Sequence, residues 1–553
     1  MFSGKISAAT TRKGMGIANS LRSTTLRLFA TKKQPLSQHD PETLNSSCPV
    51  SAKEGTALEW QRARPFSEIP QIGALKLISK FLPGGKYFKL DSNDLVAAMR
   101  SDFGPIFMMP ALMGQPSILV TYNPDDFENV FRNEGIWPIR PFSQTMRYYR
   151  NKYRADIFDG VEGAIASQGE QWNSFRTVVN PILLQSKSIN MYLNKMSQVN
   201  QEFVDRIRLM RNSETLEMPG DFAVHIQLWA LESVAVVALD LQLGLLREDS
   251  ENSDDAQRLF NALNEFVDLS FQLDYKPTMW RLVATPKLRR LMRAMDDIRS
   301  VTWKHVTEAI NRLEAEKREG VQRPEEETSI LERIIKRDAK VAAVMSMDML
   351  MAGVDTTATL VAGALLCLAQ HPEKQERLRS EVRSVLPEKL GDFTPNVLDN
   401  IPYLRACIKE SLRIYPVSVG NMRVPQNDLI LSGYRVPKGT WVSMISSTLQ
   451  SDERFFLRPL EYLPERWLRT DETISEEGVR SLKPSNPFVY LPFGFGPRIC
   501  LGRRIIDLEV GLAMARLVRN FKIEFNYPTD KPFKGMLINI PNIPLKFKLT
   551  DID

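Results

Sequence analysis

The 553-residue sequence has few cysteines, few histidines and no long apolar run. Its four cysteines are too few for a disulfide scaffold and are typical of a reducing compartment. The four histidines are scattered and nowhere have the spacing of a metal site. No apolar run of about 18 to 20 residues, the length of a membrane-spanning helix, occurs near the N-terminus or anywhere without interruption by polar residues. The sequence is therefore unlike that of a disulfide-rich secreted protein, a histidine-based metal protein or a protein with a membrane-spanning anchor.

The first 39 residues lack acids: they contain seven lysines and arginines but no Asp or Glu, and they are rich in Ser and Thr. This composition is typical of a mitochondrial transit peptide, with a disordered basic tail as the alternative. The sequence RLFA at 27–30 resembles a matrix-peptidase site. We therefore predict a transit peptide over residues 1–29, a linker over 30–62 and a folded domain over 63–553. The rest of the chain is close to neutral, since the whole chain carries only +6, and nothing in it predicts a nucleic-acid surface.

The stretch FGFGPRICLG at 493–502 places one cysteine on a glycine-rich loop. Apolar residues recur at helical spacing over 505–518, so Cys500 should lie near the N-terminus of a helix. There the helix dipole and free N–H groups favour a thiolate over a thiol, and Arg498 adds a nearby cation. A thiolate in this place is suited to bind one axial position of a metal such as haem iron. A buried structural cysteine in a turn is the alternative.

A second unusual stretch, at 345–370, predicts a long and mostly apolar helix. Its centre, AGVDTT at 352–357, contains a glycine, an acid and two threonines. Glycine costs about 1 kcal/mol relative to alanine inside a helix, and threonine can bond to a preceding carbonyl and open the helix locally. Asp355 and Thr356 thus form a polar notch in an apolar helix. A kinked core helix with a hydrogen-bonded acid is the alternative.

Two shorter patterns pair an arginine with a partner on the same helix face. Trp172 and Arg176 are four residues apart, and an indole N–H and a guanidinium can both bind a carboxylate. Glu410 and Arg413 are three residues apart and can form an ion pair. Alone, neither pair is specific, because such pairs are usually packing contacts or solvated surface charges.

The rest of the chain gives a coarser secondary-structure prediction. Residues 105–121 alternate in polarity and predict a small hairpin, residues 190–340 predict long amphipathic helices, and residues 417–448 predict short strands and turns. The apolar segment 266–271 is either a weak membrane-attachment signal or a stripe that faces the core. These patterns predict a mainly α fold with a smaller β region.

Taken together, the motifs resemble those of cytochromes P450. Residues 493–502 match the haem-binding loop of that family, Phe-x-x-Gly-x-Arg-x-Cys-x-Gly, at every fixed position. Residues 352–357 match its oxygen-binding motif, and the Glu-x-x-Arg of the family begins at Glu410. The resemblance covers residues 60–550. It implies a single mainly α domain that encloses haem b and inserts one oxygen atom of O2 into a lipophilic substrate.

The resemblance also implies a role for each motif residue. Asp355 would relay protons, and Thr356 would hydrogen-bond dioxygen at the haem or a water beside it, while Ala352 and Gly353 would leave room for oxygen and substrate. A buried network behind the haem would consist of Glu410, Arg413 and Arg466. The residues implied to contact the haem are Trp172, Arg176, Arg423, Phe493, Arg498 and Cys500, with Cys500 as the iron ligand.

Two cations just before the Glu-x-x-Arg resemble the mitochondrial clan of P450s, and an insect-type member in particular. Members of that clan present cations at the spacing of Arg405 and Lys409 to dock an acidic iron–sulfur ferredoxin, and the tandem Arg503-Arg504 is similar to theirs. The resemblance implies an adrenodoxin-type ferredoxin with its NADPH-dependent reductase as electron donor. It also implies a location on the matrix side of the mitochondrion, with peripheral attachment to the inner membrane left open. An ordinary solvated helix face is the alternative for this pair.

Two other functions remain open from the sequence: a P450-fold isomerase or dehydratase that uses no O2, and a haem-binding protein without turnover. The intact Asp355-Thr356 pair argues against both. The substrate-lining segments implied by the resemblance are mostly apolar: 141–149, 349–352, 417–421 and 537–540. We expect a lipophilic substrate, either a xenobiotic or a steroid such as an ecdysteroid, and favour the xenobiotic.

Overall fold

The computed structural model of the protein describes most of the chain beyond residue 57. The described residues are 58–112, 114–141, 143–247, 253–276, 278–321, 323–324, 327–394, 397–468 and 482–553. The predicted transit peptide and all but the last residues of the predicted linker therefore lie outside the described residues.

The described residues form a mainly helical fold with a smaller β region, as the sequence predicts. In chain order the α-helices are α1 Ala74–Phe81, α2 Ser92–Phe103, α3 Pro124–Arg132, α4 Gln144–Tyr148, α5 Ala155–Phe158, α6 Gly163–Ala166, α7 Gly169–Leu183, α8 Ser186–Asn190, α9 Leu193–Met210, α10 Phe222–Ala238, α11 Ser253–Ser270, α12 Pro286–Arg318, α13 Ile330–Arg337, α14 Ala339–Gln370, α15 Pro372–Val385, α16 Pro402–Ile414 and α17 Arg503–Asn520. Two π-helical turns follow α4 and α11, at Tyr149–Tyr153 and Phe271–Tyr275.

The strands are short and form one four-stranded sheet and three pairs. They are β1 Ile106–Met109, β2 Ile118–Thr121, β3 Gly420–Arg423, β4 Leu429–Leu431, β5 Tyr434–Val436, β6 Trp441–Ile445, β7 Phe521–Glu524, β8 Phe533–Gly535, β9 Asn539–Pro541 and β10 Lys548–Asp551. The larger sheet has the order β1-β2-β6-β3, in which only β2 and β6 are parallel. β1 and β2 pair antiparallel with Ile106 opposite Thr121, which confirms the predicted hairpin.

Helix α14 runs through the larger of two hydrophobic cores, and the smaller core lies between the four-stranded sheet and the N-terminal helices. α14 is the one helix of the described residues that is long and apolar enough to cross a membrane, but 83% of its apolar window is buried inside the protein. It is therefore a core helix. The segment 266–271 also faces the core, since Phe266, Val267 and Leu269 are buried; the membrane-attachment alternative for this segment is wrong.

The N-terminal half of α14 is fixed by a buried acid. The Asp348 carboxylate accepts a hydrogen bond from Arg150 Nη2 at 2.6 Å and another from the Ala164 backbone N–H at 2.7 Å. Gly163, at φ +81°, lies so close that a Cβ on it would meet Asp348 Oδ2 at 2.4 Å. A side chain at Gly163 would therefore push α6 away from α14. The ion pair with Arg150 and the close approach of Gly163 fix the position of α14 along its axis relative to α6.

Candidate active site

The cysteine loop turns twice before it reaches α17. Gly494 and Gly496 both have φ +74°, a region that favours glycine. A Cβ on Gly496 would lie 2.6 Å from Glu134 Oε1, so a side chain does not fit there. The Cys500 backbone N–H donates to the Phe493 carbonyl at 2.9 Å, which closes the loop. The half-buried Cys500 sulfur is thus held three residues before the start of α17.

The electrostatics of Cys500 combine two opposing effects. Burial raises the pKa of its thiol, while the backbone N–H groups of Gly502 and Arg503 and the cations Arg140 and Arg176 lower it. Among the protein's own groups burial has the larger effect, whereas the sequence predicts that the helix terminus favours the thiolate. These effects on the pKa come from the protein groups alone. A metal ion that coordinates the sulfur displaces the thiol proton whatever their sum.

Trp172 lies against the guanidinium groups of two arginines. Arg498 donates to the Pro138 carbonyl at 2.9 Å, and its Cζ lies 4.3 Å from the centre of the Trp172 ring. Arg176 donates to the Pro497 carbonyl at 3.0 Å, and its Cζ lies 5.5 Å from the same ring. The predicted haem-contacting residues of α7 and of the cysteine loop are thus together in the fold.

Arg423 has a partner that the sequence did not indicate. Its Nε donates to Glu134 Oε2 at 2.5 Å, and both side chains are buried. Glu134 follows α3 and belongs to no recognisable motif, so sequence reasoning missed it. The resemblance implies that Arg423 meets a haem propionate, and this stays a prediction; within the protein its Nε pairs with an acid.

The arginines of this region form one cluster of positive charge. Burial, together with the nearby guanidiniums of Arg140, Arg423 and Arg176, lowers the pKa of Arg498 to about 8. One acid, Glu134, opposes them and raises that pKa. The four guanidiniums outnumber the two carboxylates that act on them, Glu134 and Asp348, and the excess of positive charge suits a ligand with two negative charges.

Phe493 lies close to the first residue of α17. The Arg503 guanidinium carbon is 5.8 Å from the centre of the Phe493 ring, and the ring is half-buried. The Phe493 carbonyl accepts the hydrogen bond from the Cys500 backbone N–H. Among the residues predicted to contact a haem, Phe493 is thus linked to Cys500 rather than to the arginine cluster.

The centre of α14 has one open face, where residues are more accessible than in the rest of the helix. Ala352 is exposed, and Gly353 and Thr356 are half-buried, on a helix that is otherwise almost fully buried. Thr356 Oγ1 donates to the Ala352 carbonyl at 2.7 Å. Gly353 was expected to leave room for oxygen, but a Cβ on it would meet Val234 Cγ2 at 2.8 Å. The glycine therefore serves the packing of α10 against α14.

Asp355 is buried one residue before Thr356. Its Oδ1 accepts a hydrogen bond from Gln227 Nε2 on α10 at 2.5 Å. Burial raises the pKa of Asp355, and the Gln227 bond opposes that rise by a smaller amount. The carboxyl is thus shifted toward the pH range in which it exchanges a proton readily.

Glu410, Arg413 and Arg466 form a fully buried network. Arg413 donates to both carboxylate oxygens of Glu410, at 3.1 and 2.8 Å, and Arg466 Nε donates to Oε1 at 3.0 Å. Two partners not seen from the sequence complete it: Trp467 Nε1 donates to Oε2 at 2.7 Å, and the Leu463 N–H donates to Oε1 at 3.1 Å. The predicted trio is therefore joined in space, on one carboxylate.

A comparison with known families agrees with this geometry. The cytochrome P450 family model matches residues 70–550. This chain belongs to the cytochrome P450 family. As a P450 it is a monooxygenase that binds haem b through a cysteine thiolate.

Several fly proteins align with this P450 over nearly its full length. It is 52% identical to the protein named cytochrome P450 CYP12A2 of Musca domestica, over 90% of this chain and 93% of the relative. It is 54% identical to a protein of Drosophila melanogaster named probable cytochrome P450 12a5, mitochondrial, over 89% of this chain and 92% of the relative. A second Drosophila protein, probable cytochrome P450 12c1, mitochondrial, is 44% identical over 89% of this chain and 93% of the relative.

The described residues fit haem b. Trp172 Nε1 and Arg498 Nη1 are buried and have no hydrogen-bond partner among the described residues, so both can donate to the anionic edge of a haem. The four clustered arginines supply more positive charge than Glu134 balances. Cys500 supplies a sulfur on the same loop as Arg498. These are the groups that would hold the propionates and the iron.

The two cations predicted to dock a ferredoxin, Arg405 and Lys409, lie on an exposed surface of this P450, beside Arg503 and Arg504. Arg405, Lys409, Arg503 and Arg504 are exposed, and all four act electrostatically on the carboxylate of Asp507. We call these four residues the cation patch. Arg405 also pairs with the exposed Asp399 at 3.0 Å. The network residues Glu410 and Arg413 of α16 are buried, whereas Arg405 and Lys409 are exposed, so the two motifs use different sides of one helix.

Proposed function

We propose that this P450 is a mitochondrial enzyme that oxidises lipophilic xenobiotics with electrons from an adrenodoxin-type ferredoxin and its NADPH-dependent reductase. The observation that carries the proposal is the cation patch, which α16 and the start of α17 present on the surface near Cys500. The mitochondrial names of the Drosophila relatives support the compartment. The acid-free residues 1–29 support it as a transit peptide, followed by the linker 30–62 and the P450 domain 63–553.

Bound haem supplies the redox chemistry by which one atom of dioxygen enters a C–H bond and the other becomes water, with two electrons and two protons. The protein's own groups serve that chemistry in three ways. The Cys500 sulfur binds the iron and donates electron density to it. The arginine cluster and Trp172 bind the propionate edge of the haem and so orient it. Asp355 takes protons from solvent, and Thr356 holds a proton at the open face of α14.

Thr356→Ala should leave haem and substrate binding intact but divert dioxygen to peroxide. The variant loses the hydroxyl that holds a proton on the open face of α14, and product formed per dioxygen should fall by about a hundredfold, as for other positioned proton donors. Product, peroxide and dioxygen are measured in the same reaction. Thr356→Ser keeps the hydroxyl and should stay close to the wild type. Fully coupled turnover in Thr356→Ala would remove the proposed role.

Electron transfer should depend on the cation patch and on salt. An acidic partner is attracted to such a patch, which raises the association rate at low ionic strength and loses that advantage as salt screens the charges. Mammalian-type or insect ferredoxin with its reductase can replace dithionite as the reductant. The rate of haem reduction is then followed by the carbon monoxide difference spectrum, at several salt concentrations.

Arg405→Glu combined with Lys409→Glu should slow reduction by the ferredoxin pair by about 10- to 100-fold at low salt. Reduction by dithionite and the position of the carbon monoxide band should not change, because neither residue touches the haem pocket. Arg318→Glu, at the exposed end of α12, is the matched control. Equal rates for the patch variant and this control would argue against ferredoxin docking at the patch.

The substrate proposal rests on the apolar segments beside the cysteine loop. The Asn539 N–H donates to the Val417 carbonyl at 2.8 Å, which joins the predicted lining segments 417–421 and 537–540. Asn421 lies close to the cysteine loop: a Cβ built on Gly494 would be 3.7 Å from Asn421 Oδ1. Most residues of these two segments are apolar or glycine, which favours broad binding of lipophilic compounds over recognition of one hydroxylated steroid. Titration of the haem spectrum with an ecdysteroid and with an apolar xenobiotic decides between the two.

A further inference from the structure

A cleft of about 450 Å³ opens between the N-terminal part of α12 and the π-helical turn that follows α4. Tyr148 and Tyr153 line it on one side, and Ala284, just before α12, also lines it. The described residues of the cysteine loop and of the open face of α14 do not line it, so it is separate from the site around Cys500. Its volume lies in the range of small-molecule sites, about 300–1,000 Å³.

The floor of this cleft is apolar. Two buried residues of α12, Leu288 and Met292, line it from positions four apart on one side of the helix. The Tyr148 ring stands edge-on to the Trp280 ring, with 5.8 Å between the ring centres, and Trp280 Nε1 donates to the Leu273 carbonyl at 2.9 Å. These contacts hold the aromatic wall in place, so the cleft offers a ligand a preformed apolar surface.

The rim of the cleft carries two arginines that no acid pairs with. Arg289 and Arg293 are exposed, line the cleft and lie four residues apart, so they share one face of α12. Over the part of the chain that the structure describes, neither forms an ion pair. Their neighbour Arg290 differs, since its Nε lies 2.8 Å from Glu265 Oε1. The cleft thus combines an apolar floor with two positive charges that are available to a ligand.

This combination fits an amphipathic anion with a single apolar chain. Guanidinium groups bind a carboxylate through two parallel hydrogen bonds, and an apolar chain gains from leaving water for the floor of the cleft. A membrane surface is the competing occupant, because Leu282 and Val283, just before Ala284, are exposed. The concave shape and the buried floor favour the single chain, since a flat lipid surface does not fill a cleft.

We propose that this cleft is a second ligand site, which binds an amphipathic anion with one apolar chain, such as a fatty-acid carboxylate. The carboxylate oxygens accept hydrogen bonds from Arg289 and Arg293, and the chain covers Leu288 and Met292. Binding here requires neither electrons nor dioxygen. The inference therefore goes beyond the proposed function and does not depend on the ferredoxin or on the substrate.

The test is equilibrium dialysis of the full-length, haem-loaded protein against radiolabelled dodecanoate. Tyr148 belongs to the predicted lining segment 141–149, so the substrate pocket is first occupied by an azole inhibitor that ligates the haem iron. The haem spectrum shows whether the azole stays bound during the titration. 1-Dodecanol, which has the same chain without the charge, is the control ligand. Dodecanoate that binds to the azole-bound protein is therefore bound outside the substrate pocket.

Three variants locate the bound anion. Arg289→Gln combined with Arg293→Gln removes the two charges, and Ala284→Trp fills the cleft from an exposed position without a change of charge. Arg290→Gln is the matched control, because Arg290 is an exposed arginine of the same helix that has an acidic partner.

We expect one dodecanoate per azole-bound protein, with a Kd that rises with salt and is lower than the Kd of dodecanol. The Kd should rise by about tenfold or more in the double arginine variant, because charge-assisted hydrogen bonds are lost. Ala284→Trp should weaken binding to a similar extent, and Arg290→Gln should bind as the wild type does. If the double arginine variant or Ala284→Trp bound dodecanoate as tightly as the wild type, the anion would lie elsewhere and the proposal would be wrong.

Flotation with lipid vesicles separates a single-chain ligand from a membrane surface. The vesicles consist of phosphatidylcholine alone or mixed with phosphatidylglycerol. If the wild type binds the anionic vesicles through Arg289 and Arg293 but binds no free dodecanoate, the occupant is a membrane and the proposal is overturned. Binding of free dodecanoate, with equal flotation of the wild type and the double arginine variant, supports the proposed site.

Photolabelling gives the location of the chain directly. A dodecanoate analogue that carries a diazirine on its chain is irradiated with the azole-bound protein, and the labelled peptides are identified by mass spectrometry. The label should fall on peptides that contain residues 148–153 and 284–293, and excess dodecanoate should remove it. Label confined to other peptides would contradict the proposal whatever the dialysis shows.

Discussion

Cys500→Ser is expected to fold and to abolish monooxygenase turnover. Serine fills nearly the same space, and the loop keeps the backbone bond from residue 500 to Phe493 and the anchoring of Arg498. What is lost is the thiolate, which donates electron density to the iron and favours cleavage of the O–O bond. We expect at least a thousandfold loss of turnover, equal to about 4 kcal/mol of transition-state stabilisation.

The measurement is the carbon monoxide difference spectrum of the reduced protein, followed by turnover. The wild type should show the red-shifted band typical of a thiolate ligand, and Cys500→Ser should not. Cys367→Ala is the control, since Cys367 is buried in α14 and lies outside the cysteine loop. A thiolate-type band in folded Cys500→Ser would mean that another cysteine is the ligand.

Local patterns predicted the parts of this fold that depend on neighbours in sequence. The hairpin formed by β1 and β2 and the apolar helix at 345–370 follow from periodicity, although α14 begins earlier, at Ala339. The pairing of Glu410 with Arg413 needs only their spacing on a helix. The third member, Arg466, came from family resemblance, since nothing local to either segment indicates that they meet.

Contacts between distant segments carry no such local signal. Glu134 and Arg423 are 289 residues apart, and Gln227 and Asp355 are 128 apart. Each pair consists of common polar residues whose partner is chosen by the packing of helices and strands. Sequence reasoning therefore found the chemical groups of the site but not the side chains that position them.

Gly353 has a packing role that its motif does not indicate. The family pattern suggested that its missing side chain leaves room for dioxygen, whereas the nearest group is Val234 of α10. The same close approach brings Gln227 of α10 to Asp355. The glycine thus allows the close approach of two helices that brings Gln227 to Asp355, which a linear motif cannot express.

Glu410→Ala is expected to have the largest effect on stability. The Glu410 carboxylate accepts five hydrogen bonds: two from Arg413 and one each from Arg466, Trp467 and the Leu463 N–H. Its removal leaves two buried guanidiniums without a counter-charge. Breaking a buried ion pair in this way costs about 3–5 kcal/mol, a large share of the stability of an ordinary domain. The midpoint of urea unfolding and the fraction of protein that retains haem should both fall sharply.

Glu461→Ala is the matched control, because Glu461 pairs with Arg458 at the same spacing of three residues but on the surface. Water solvates both partners there, so its removal should not shift the midpoint measurably. Glu410→Gln separates charge from hydrogen bonding: it keeps an acceptor for Arg413 but leaves the positive charges unopposed. If Glu410→Gln were as stable as the wild type, hydrogen bonds alone would account for the network. An intermediate midpoint, which we expect, would mean that the carboxylate charge itself holds the two arginines in the core.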